Sequence, residues 1–562
     1  MKSKILSLAL AALMLLAIAS CGAPAQNEPA GSPTPSEASE SASPPGESGA
    51  PDAERVTELT FCESWDFESG FYTIASPDTQ SNYGALYWSV NFYETLVNYD
   101  DGEFVPGLAE SWEVSGDGAV YTFKLRQGVK FSDGSDFTSA AVKKSFEAAP
   151  VNLGPYNGSY GTLTTLFDEI VCPDDYTVEL HLTQPYYGTL KDLTMLVPLA
   201  IVNPAALGDD LSPGDSFKAA THGTGPYMYA GDGDGSAYTF IRNPYYWGEQ
   251  PALESFRVKV IPDNNAKLLA LKSGEIDVIT GTNSLSYDGY NEMSSAAGFA
   301  AAISAATDKT RYIAFNLAHA GFDDLAVRDA LARAVDKDAI CASLLSGLEP
   351  RADSLFPKSY PWCDVDVNVR AYDVEAAKAG LDAAGWIDSD GDGIREKDGV
   401  KLSGSMVYMT GNSVMDDLAL TVSAQAREIG IELIPKGGDL MSYYADVYGD
   451  FGVALTGTYG LAHDPCTSVT NMNPELGADP VSAQATALLP DPAGLIKTLN
   501  STADESVVRE TYRAILTSIN DNAIFIPISE SKILAAYNAD KIAEVDFDAV
   551  PQYVSAAKVT PK

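Results

Sequence analysis

Apolar and polar residues alternate along one segment in the first half of the chain. Tyr121, Phe123 and Leu125 are separated by polar residues, and an alternation of period two predicts a strand with one buried face. Thr138 then stands where a helix N-cap is expected, ahead of a helical pattern that runs to Glu147. Hydroxyl side chains are favoured at that position. The segment is therefore predicted to form a half-buried strand, a turn and a helix.

A second region shows the order strand, helix, strand. Residues 402–408 and 431–434 are the predicted strands, and 415–429 between them has helical spacing and ends at Gly430. Glycine commonly ends a helix because it adopts the left-handed conformation freely. Asp373 is placed to cap a further helix just before this region. A strand–helix–strand order favours a parallel sheet, so the fold class is predicted to be mixed α/β.

The N-terminus carries an export pattern. Two early lysines precede an apolar run over 5–19, and small residues follow it, which is typical of a secretory signal over 1–20. The run is shorter than the roughly 20 residues that a membrane-spanning helix needs. Its end, IASC at 18–21, resembles a bacterial lipobox. Cys21 is therefore predicted to be the lipid attachment site; the alternative is a signal followed by an incidental cysteine.

Residues 21–55 have the composition of a disordered tether. They are rich in Pro, Ser, Gly, Ala and Glu and contain no aromatic residue. Such a composition cannot bury enough apolar area to offset the entropy of ordering. A lipid, a tether and a large body predict a protein anchored to the outer face of the cell membrane, or held in the periplasmic space of a Gram-negative cell.

Charge and composition narrow the classes of function. The 562 residues include 36 Lys and Arg against 77 Asp and Glu, a formal net charge of −41. Nucleic acid is excluded as a partner, because binding its phosphates depends on clustered cations. The cysteines after Cys21 are odd in number, so at least one is free or pairs between chains, and the pairing stays open. They are Cys62, Cys172, Cys341, Cys363 and Cys466.

Signatures of common enzymes are missing from the sequence. It contains no G-x-S-x-G, no H-E-x-x-H and no G-x-x-x-x-G-K-[ST], so serine-hydrolase, zinc-protease and P-loop chemistries are not indicated. Four histidines in all disfavour a multi-histidine metal centre. The protein is therefore predicted not to be an enzyme.

Several short motifs follow one another along the folded body. The first is LAESW at 108–112, followed by GDGAVYTFKLRQGVKFSDGSDF at 116–137. The others are GTGPY at 223–227, RNPYYWG at 242–248, GEID at 274–277, VRDAL at 327–331, AVDK at 334–337, AGW at 384–386 and IPI at 526–528. Together with the lipobox, this series resembles the family 5 bacterial extracellular solute-binding proteins, the peptide- and nickel-binding receptors of ABC importers.

The resemblance implies a two-lobe fold of the periplasmic-binding-protein type, with a small solute enclosed between the lobes. The implied boundaries are 56–308 with 525–562 for the first lobe, about 93–214 for a subdomain inserted in it, and 309–524 for the second lobe. Two chain crossings, near 311–313 and near Phe525, would form the hinge. The implied partners are a peptide-like solute or a metal chelate and the permease subunits in the membrane, and a monomer is expected. A surface receptor or adhesin that is not coupled to uptake is the alternative.

The residues that anchor a peptide in this family are incomplete here. In peptide-binding members, an aspartate shortly before an Asp-Pro pair accepts the ammonium group of the peptide. The Asp-Pro pair of this chain is 464–465, and Leu461 or Ala462 stands at the place of the aspartate. Unless another carboxylate substitutes, unmodified di- and tripeptides are expected to bind weakly.

The same segment is closer to the nickel-chelate branch of the family, which has an aromatic-Gly-Ala-Pro-Tyr-Asp-Pro run. Tyr459 matches the first aromatic and His463 stands in place of the Tyr; both are predicted to contact the solute. That branch holds chelators with arginines from the first lobe, whereas Lys191 is the one cation in 190–204, and the metal-coordinating His falls near Gly477. Neither pattern is complete, so the ligand stays open.

Aromatic residues supply further candidates for the ligand site. Their rings offer large rigid surfaces with polar tips, and for each of them ordinary packing is the alternative. The candidates in the loop after the first strand, which lines the cleft in the family, are Trp65, Phe67 and Tyr72, and those elsewhere are Tyr156, Tyr160 and Tyr444.

Two groups of residues have the chemistry of metal ligands. Asp388, Asp390 and Asp392 with a following glycine resemble the start of an EF-hand loop, although the bidentate Glu at position 12 is missing. No cofactor is expected, and a structural calcium is the alternative. His463, Asp464 and Cys466 also combine competent ligands. Three ligands so close in sequence seldom fit one tetrahedron, so a turn is the favoured interpretation.

Overall fold

The computed structural model describes most of the folded body. The described residues are 56–74, 83–100, 102–158, 160–231, 237–282, 284–410, 413–458, 460, 463–473 and 479–562. The predicted signal, Cys21 with its tether, and Tyr459 lie outside them. Within these ranges no helix combines the length and the apolar character needed to cross a bilayer.

Strands and helices are distributed along the whole described chain. The strands are β1 Glu58–Glu63, β2 Val97–Asp100, β3 Glu103–Pro106, β4 Ala109–Val114, β5 Val120–Leu125, β6 Phe167–Asp174, β7 Thr177–Leu182, β8 Tyr227–Gly231, β9 Tyr238–Arg242, β10 Ser255–Val260, β11 Val278–Ile279, β12 Phe299–Ile303, β13 Thr310–Phe315, β14 Glu396–Lys397, β15 Val400–Lys401, β16 Ser403–Met409, β17 Glu432–Gly438, β18 Val453–Gly457, β19 Phe525–Glu530, β20 Leu534–Asn538, β21 Ile542–Val545 and β22 Val559–Pro561. The α-helices are α1 Tyr83–Trp88, α2 Ser139–Leu153, α3 Thr189–Asp192, α4 Leu196–Leu199, α5 Asn264–Ser273, α6 Tyr287–Ser295, α7 Leu325–Ala334, α8 Lys337–Ala339, α9 Val374–Ala383, α10 Ser413–Glu428, α11 Leu440–Val447, α12 Pro465–Thr470, α13 Pro492–Leu499 and α14 Glu505–Asp521.

The first sheet has seven strands in the order β12-β20-β11-β1-β10-β9-β8. β1 lies at its centre and runs parallel to β10. Phe61 on β1 is fully buried, and its ring meets the rings of Trp88 and Phe256 edge-on. A four-stranded antiparallel sheet, in the order β4-β5-β7-β6, shares the same hydrophobic core.

The predicted strand and helix near residue 120 are confirmed. β5 buries Tyr121, Phe123 and Leu125. Thr138 occupies the N-cap position of α2, but its side chain makes no capping hydrogen bond. The helix continues beyond the predicted end at Glu147 and stops at Gly154. Its apolar spacing explains the extra length, because buried side chains continue at helical intervals past residue 147 and keep the helix packed on the core.

The second sheet has five strands in the order β17-β16-β18-β13-β19. β16 and β17 are parallel and α10 connects them, so the predicted parallel α/β arrangement is confirmed. Gly430 follows α10 with a φ of +85°, the left-handed conformation that glycine adopts without strain. Asp373 caps α9 as predicted, because its side chain accepts a hydrogen bond from the Ala376 amide at 2.9 Å.

The chain passes between the two sheets twice. β12 ends at Ile303 in the first sheet and β13 begins at Thr310 in the second, and the return lies between Glu530 and Leu534. The second crossing therefore follows β19, several residues after the predicted position at Phe525, because β19 pairs with β13 as an edge strand. We call residues 56–303 with 534–562 the first lobe and residues 310–530 the second lobe.

Candidate functional site

A cavity of about 390 Å³ lies where the two lobes face each other. Three tyrosines predicted from the sequence, Tyr156, Tyr160 and Tyr444, line it. The first two come from the first lobe, and Tyr444 comes from α11 of the second. The other described residues that line it are Leu86, Tyr87, Met195, Val197, Thr282, Asp308, Lys309, Gly460, Thr467, Asn471 and Gln552.

The wall of the cavity combines tyrosine rings with a small apolar surface. Tyr156 and Tyr160 are 52% and 41% exposed, which places them at the entrance. Tyr87 and Tyr444 are half-buried, and Met195 and Val197 are buried. Such a lining suits a solute with both an apolar body and polar groups, because tyrosine offers a flat ring and a hydroxyl.

Asp308 and Lys309 are the charged residues among the described lining of the cavity, and both lie on the first crossing segment. Asp308 is 6% exposed, and its Oδ2 accepts a hydrogen bond from the Ser531 hydroxyl at 3.2 Å. Lys309 Nζ lies 3.5 Å from the same oxygen. Gln552 Nε2 donates to the Asp308 carbonyl oxygen at 3.0 Å and holds the segment in place.

A buried ion cluster joins the two lobes next to the cavity. Lys191 Nζ on α3 lies 2.5 Å from Asp192 Oδ1 and 2.6 Å from Asp464 Oδ1, and all three side chains are almost fully buried. Asp464 belongs to the second lobe, where it is the N-cap residue of α12. The lysine is also 3.8 Å from the sulfur of Met195, a residue of the cavity wall.

The pKa values of the three ionisable groups in the cluster shift in different directions. Burial opposes the charge of Lys191, but Asp192 and Asp464 outweigh it and raise the lysine pKa. Burial also opposes ionisation of Asp464, but Lys191 outweighs it and lowers the pKa of Asp464. For Asp192 burial dominates and raises the pKa. Lys191 and Asp464 therefore form the ion pair across the lobes, and Asp192 is the carboxylate that takes up a proton first.

His463 of the second lobe is buried beside this cluster, at the contact with the first lobe. It is not among the described residues that line the cavity. Its ring stacks on Tyr99 of β2, with centroids 4.2 Å apart and an interplanar angle of 17°. Burial lowers the pKa of His463 to about 4, so the ring is neutral at pH 7. Its predicted contact with the solute stays a prediction, and Tyr459, Leu461 and Ala462 lie outside the described residues.

The structure favours the turn over the metal site at His463, Asp464 and Cys466. Asp464 is engaged by Lys191 and caps α12. The Cys466 sulfur accepts a hydrogen bond from the Tyr512 hydroxyl at 3.1 Å, and burial raises the pKa of the thiol to about 11. A protonated thiol is a poor metal ligand.

The aromatic residues of the loop after β1 lie away from the cavity. Phe67 is 2% exposed and packs against Phe71 and Tyr238. Tyr72 packs on Phe217, and Trp65 is exposed and does not belong to the described lining. The structure places Phe67 and Tyr72 in the core of the first lobe, because the loop folds back onto β8 and β9.

The acidic loop at Asp388, Asp390 and Asp392 brings one oxygen from each carboxylate within 4.8 Å of the others. Lys401 already pairs with two of them: its Nζ lies 2.8 Å from Asp390 and also contacts Asp392. Asp388 accepts hydrogen bonds from the amides of Gly391 and Gly393. The lysine supplies the positive charge that a calcium ion would otherwise bring, and the expected absence of a cofactor stays a prediction, with a structural calcium as its alternative.

The sequence did not indicate the two charged residues of the cavity. Asp308 and Lys309 lie just before the predicted crossing at 311–313, in a segment without a motif. The sequence did contain one usable signal. Two adjacent charged residues next to a predicted chain crossing between lobes are expected to border the space between those lobes. Whether it faces that space depends on contacts with residues such as Ser531 and Gln552, which are more than 200 positions away.

Comparison with known proteins identifies the chain. The model of "Bacterial extracellular solute-binding proteins, family 5 Middle" matches residues 103–478. The nickel-binding periplasmic protein of Escherichia coli K12 is 32% identical over 440 residues, 78% of this chain and 83% of that protein. The crystal structure of NikA from Brucella suis in complex with Fe(III)-EDTA is 31% identical, with a TM-score of 0.81 over 90% of this chain and 100% of that one.

The fold is shared more widely than the sequence. The oligopeptide-binding protein AppA from Bacillus subtilis, solved with a nonapeptide, superimposes with a TM-score of 0.69 at 22% identity, over 90% of this chain and 99% of that one. Two lobes with a cavity between them define a binding protein of the two-lobe type. The chain belongs to the bacterial extracellular solute-binding proteins, family 5.

Proposed function

We propose that this protein is the solute-binding lipoprotein of an ABC importer. It encloses a small extracellular solute between its lobes and delivers it to the permease subunits in the membrane. The observation that carries the proposal is the cavity of about 390 Å³ whose walls come from both lobes. Closure of two lobes around a ligand is favoured by contacts that exist only in the closed state.

The solute is small, of the class that includes peptide-like compounds and metal chelates. The nickel-binding relative and the Fe(III)-EDTA complex of NikA support this class. The size of the cavity supports it too, because about 390 Å³ lies within the roughly 300–1,000 Å³ that is usual for small-molecule sites. A solute of dipeptide size fits this space.

The protein works as a monomer at the cell surface, held by a lipid on Cys21. The lipobox-like IASC run and the polar tether after it support this anchor. A tether without aromatic or large aliphatic residues leaves the folded body in aqueous solvent while the lipid keeps it near the permease.

Native mass spectrometry of freshly purified protein tests the proposal, because a solute enclosed in the cavity travels with the protein. We expect a bound small molecule in the wild type and its loss in Asn471→Trp, which fills the cavity wall. Asn368→Trp, an exposed change in the same lobe, serves as the control and should keep the solute.

Deletion of the gene separates an importer component from a sensor. We expect the deletion strain to lose uptake of the solute identified by mass spectrometry. Tight binding without any uptake defect would contradict the importer function and favour a surface receptor that is not coupled to transport.

A further inference from the structure

The cavity holds a charged pair that the protein leaves incompletely satisfied. Within the described residues, the contacts of the Asp308 carboxylate end on Oδ2, where the Ser531 hydroxyl donates at 3.2 Å. Oδ1 has no protein donor there, although the residue is 6% exposed. Lys309 Nζ makes only the 3.5 Å ionic contact with Asp308 in the same part of the chain. A buried carboxylate normally receives several hydrogen bonds, so this pair retains binding capacity toward the cavity.

Two other buried cations of the protein have close carboxylate partners. Arg311, three residues after Asp308, donates to Glu349 through Nε and Nη2 at 3.0–3.2 Å. Lys191 lies 2.5–2.6 Å from two carboxylates. The Asp308–Lys309 pair in the cavity wall is therefore held more loosely than the ion pairs of Arg311 and Lys191.

We propose that Asp308 and Lys309 bind the head group of an α-amino acid, with the ligand ammonium on Asp308 Oδ1 and the ligand carboxylate on Lys309 Nζ. This proposal rests on the proposed function and names the chemical class of its solute. The two ligand charges sit on one carbon, which suits protein charges 3.5 Å apart. Each added residue separates the termini of a peptide by up to about 3.3–3.6 Å, so the ends of a longer peptide do not reach both partners.

The rest of the cavity receives the remainder of the solute. Tyr87 and Tyr444 supply rings and Met195 and Val197 an apolar surface. These residues leave more room than a small side chain fills, so the side chain of the bound amino acid is large and flat or apolar. Asp308 also supplies the carboxylate that the sequence lacks at Leu461 and Ala462. The missing aspartate at 461–462 predicts weak binding of unmodified di- and tripeptides. With Asp308 as the partner of the ammonium group, this expectation does not apply to free amino acids.

Two chemical derivatives test the head group on the unaltered protein. Dialysed protein is first mixed with the twenty L-amino acids, and native mass spectrometry identifies the one that binds. Calorimetry then compares this amino acid with its N-acetyl derivative, which lacks the ammonium, and its amide, which lacks the carboxylate. Removing one partner of a buried, hydrogen-bonded charge pair costs about 2–5 kcal/mol, so each derivative should bind at least about 30-fold more weakly.

Variants assign each ligand charge to its protein partner. Asp308→Asn should weaken the free amino acid at least about 30-fold and leave the affinity for the N-acetyl derivative unchanged, because that ligand has no ammonium to lose. Lys309→Gln should likewise weaken binding of the free amino acid. It should leave the affinity for the amide derivative unchanged, because that ligand has no carboxylate to lose. The matched controls are Asp366→Asn and Lys358→Gln, an exposed pair with a 2.5 Å contact, and they should change nothing.

The outcomes separate this proposal from the function it rests on. If no amino acid binds while nickel–histidine or a dipeptide does, the head-group assignment is wrong and the solute-binding function stands. Equal affinity for the free amino acid and both derivatives would also overturn the assignment. If no solute binds and the deletion strain imports normally, the proposed function fails as well.

Discussion

Lys191→Met removes the one cation from a site where two carboxylates are almost fully buried. At 2.5–2.6 Å and an effective dielectric constant of about 20, each contact contributes about 6 kcal/mol of attraction. Desolvation of each ion cancels much of this sum, at several kcal/mol per ion. Breaking a buried pair by removing one partner destabilises proteins by about 3–5 kcal/mol, and we expect a loss of this size in the free energy of unfolding.

Guanidinium unfolding followed by tryptophan fluorescence measures this loss. Converting both aspartates to asparagine in the Lys191→Met background removes the unpaired charges, so most of the stability should return. Lys401→Met is the matched control, because Lys401 also contacts two aspartates but on an exposed loop, where ion pairs contribute little.

The pH dependence gives an independent test of the same reasoning. Without Lys191, burial raises the pKa of both carboxylates above the unfolded value of about 4. The unfolded chain then releases protons first as pH rises, so the variant loses stability between about pH 4 and 7 relative to wild type. A deficit that is equal at pH 4 and pH 7, or a variant as stable as wild type, would refute a charged cluster across the lobes.

Four further predictions concern other parts of the molecule. Cys21→Ala should release the protein from membranes into the soluble fraction, and retention after a high-salt wash would contradict the lipid anchor. A bound solute at 100 times its Kd should add roughly 2.7 kcal/mol of stability and shrink the radius measured by X-ray scattering; tight binding at constant radius would argue against closure. The pKa of His463 falls to about 4 in the folded protein from an unfolded value of about 6.5. The neutral ring's full contribution to the free energy of unfolding is therefore present above about pH 6.5, and about 3 kcal/mol of it is lost as pH falls to 4. His463→Phe should flatten this pH profile in urea titrations, and an unchanged slope would contradict the role of His463. Because Lys401 pairs with Asp390 and Asp392, the melting temperature should be the same in calcium and in chelator, and a rise in calcium would show that the ion displaces the lysine.

Local patterns predicted the parts of the fold that depend on neighbours in sequence. The alternation around Phe123 and the helix end at Gly430 specify one strand and one helix boundary without help from distant residues. The site depends on long-range packing instead. Phe67 is an aromatic residue of the kind that often contacts a ligand, but it packs in the core. Asp308 belongs to no motif of the sequence, yet it lies in the cavity wall. Only the folded chain distinguishes these two cases, because both sides of the cavity come from distant segments.

The position of β20 in the first sheet has a consequence for biosynthesis. This strand, Leu534–Asn538, lies between β12 and β11, and it pairs with both. A ribosome has thus made more than nine-tenths of the 562 residues before an interior strand of the first sheet exists. Until then β11 and β12 present unpaired edges, the kind of surface that favours aggregation. Loss of the last 30 residues, which looks like a minor truncation, would leave that sheet in two pieces.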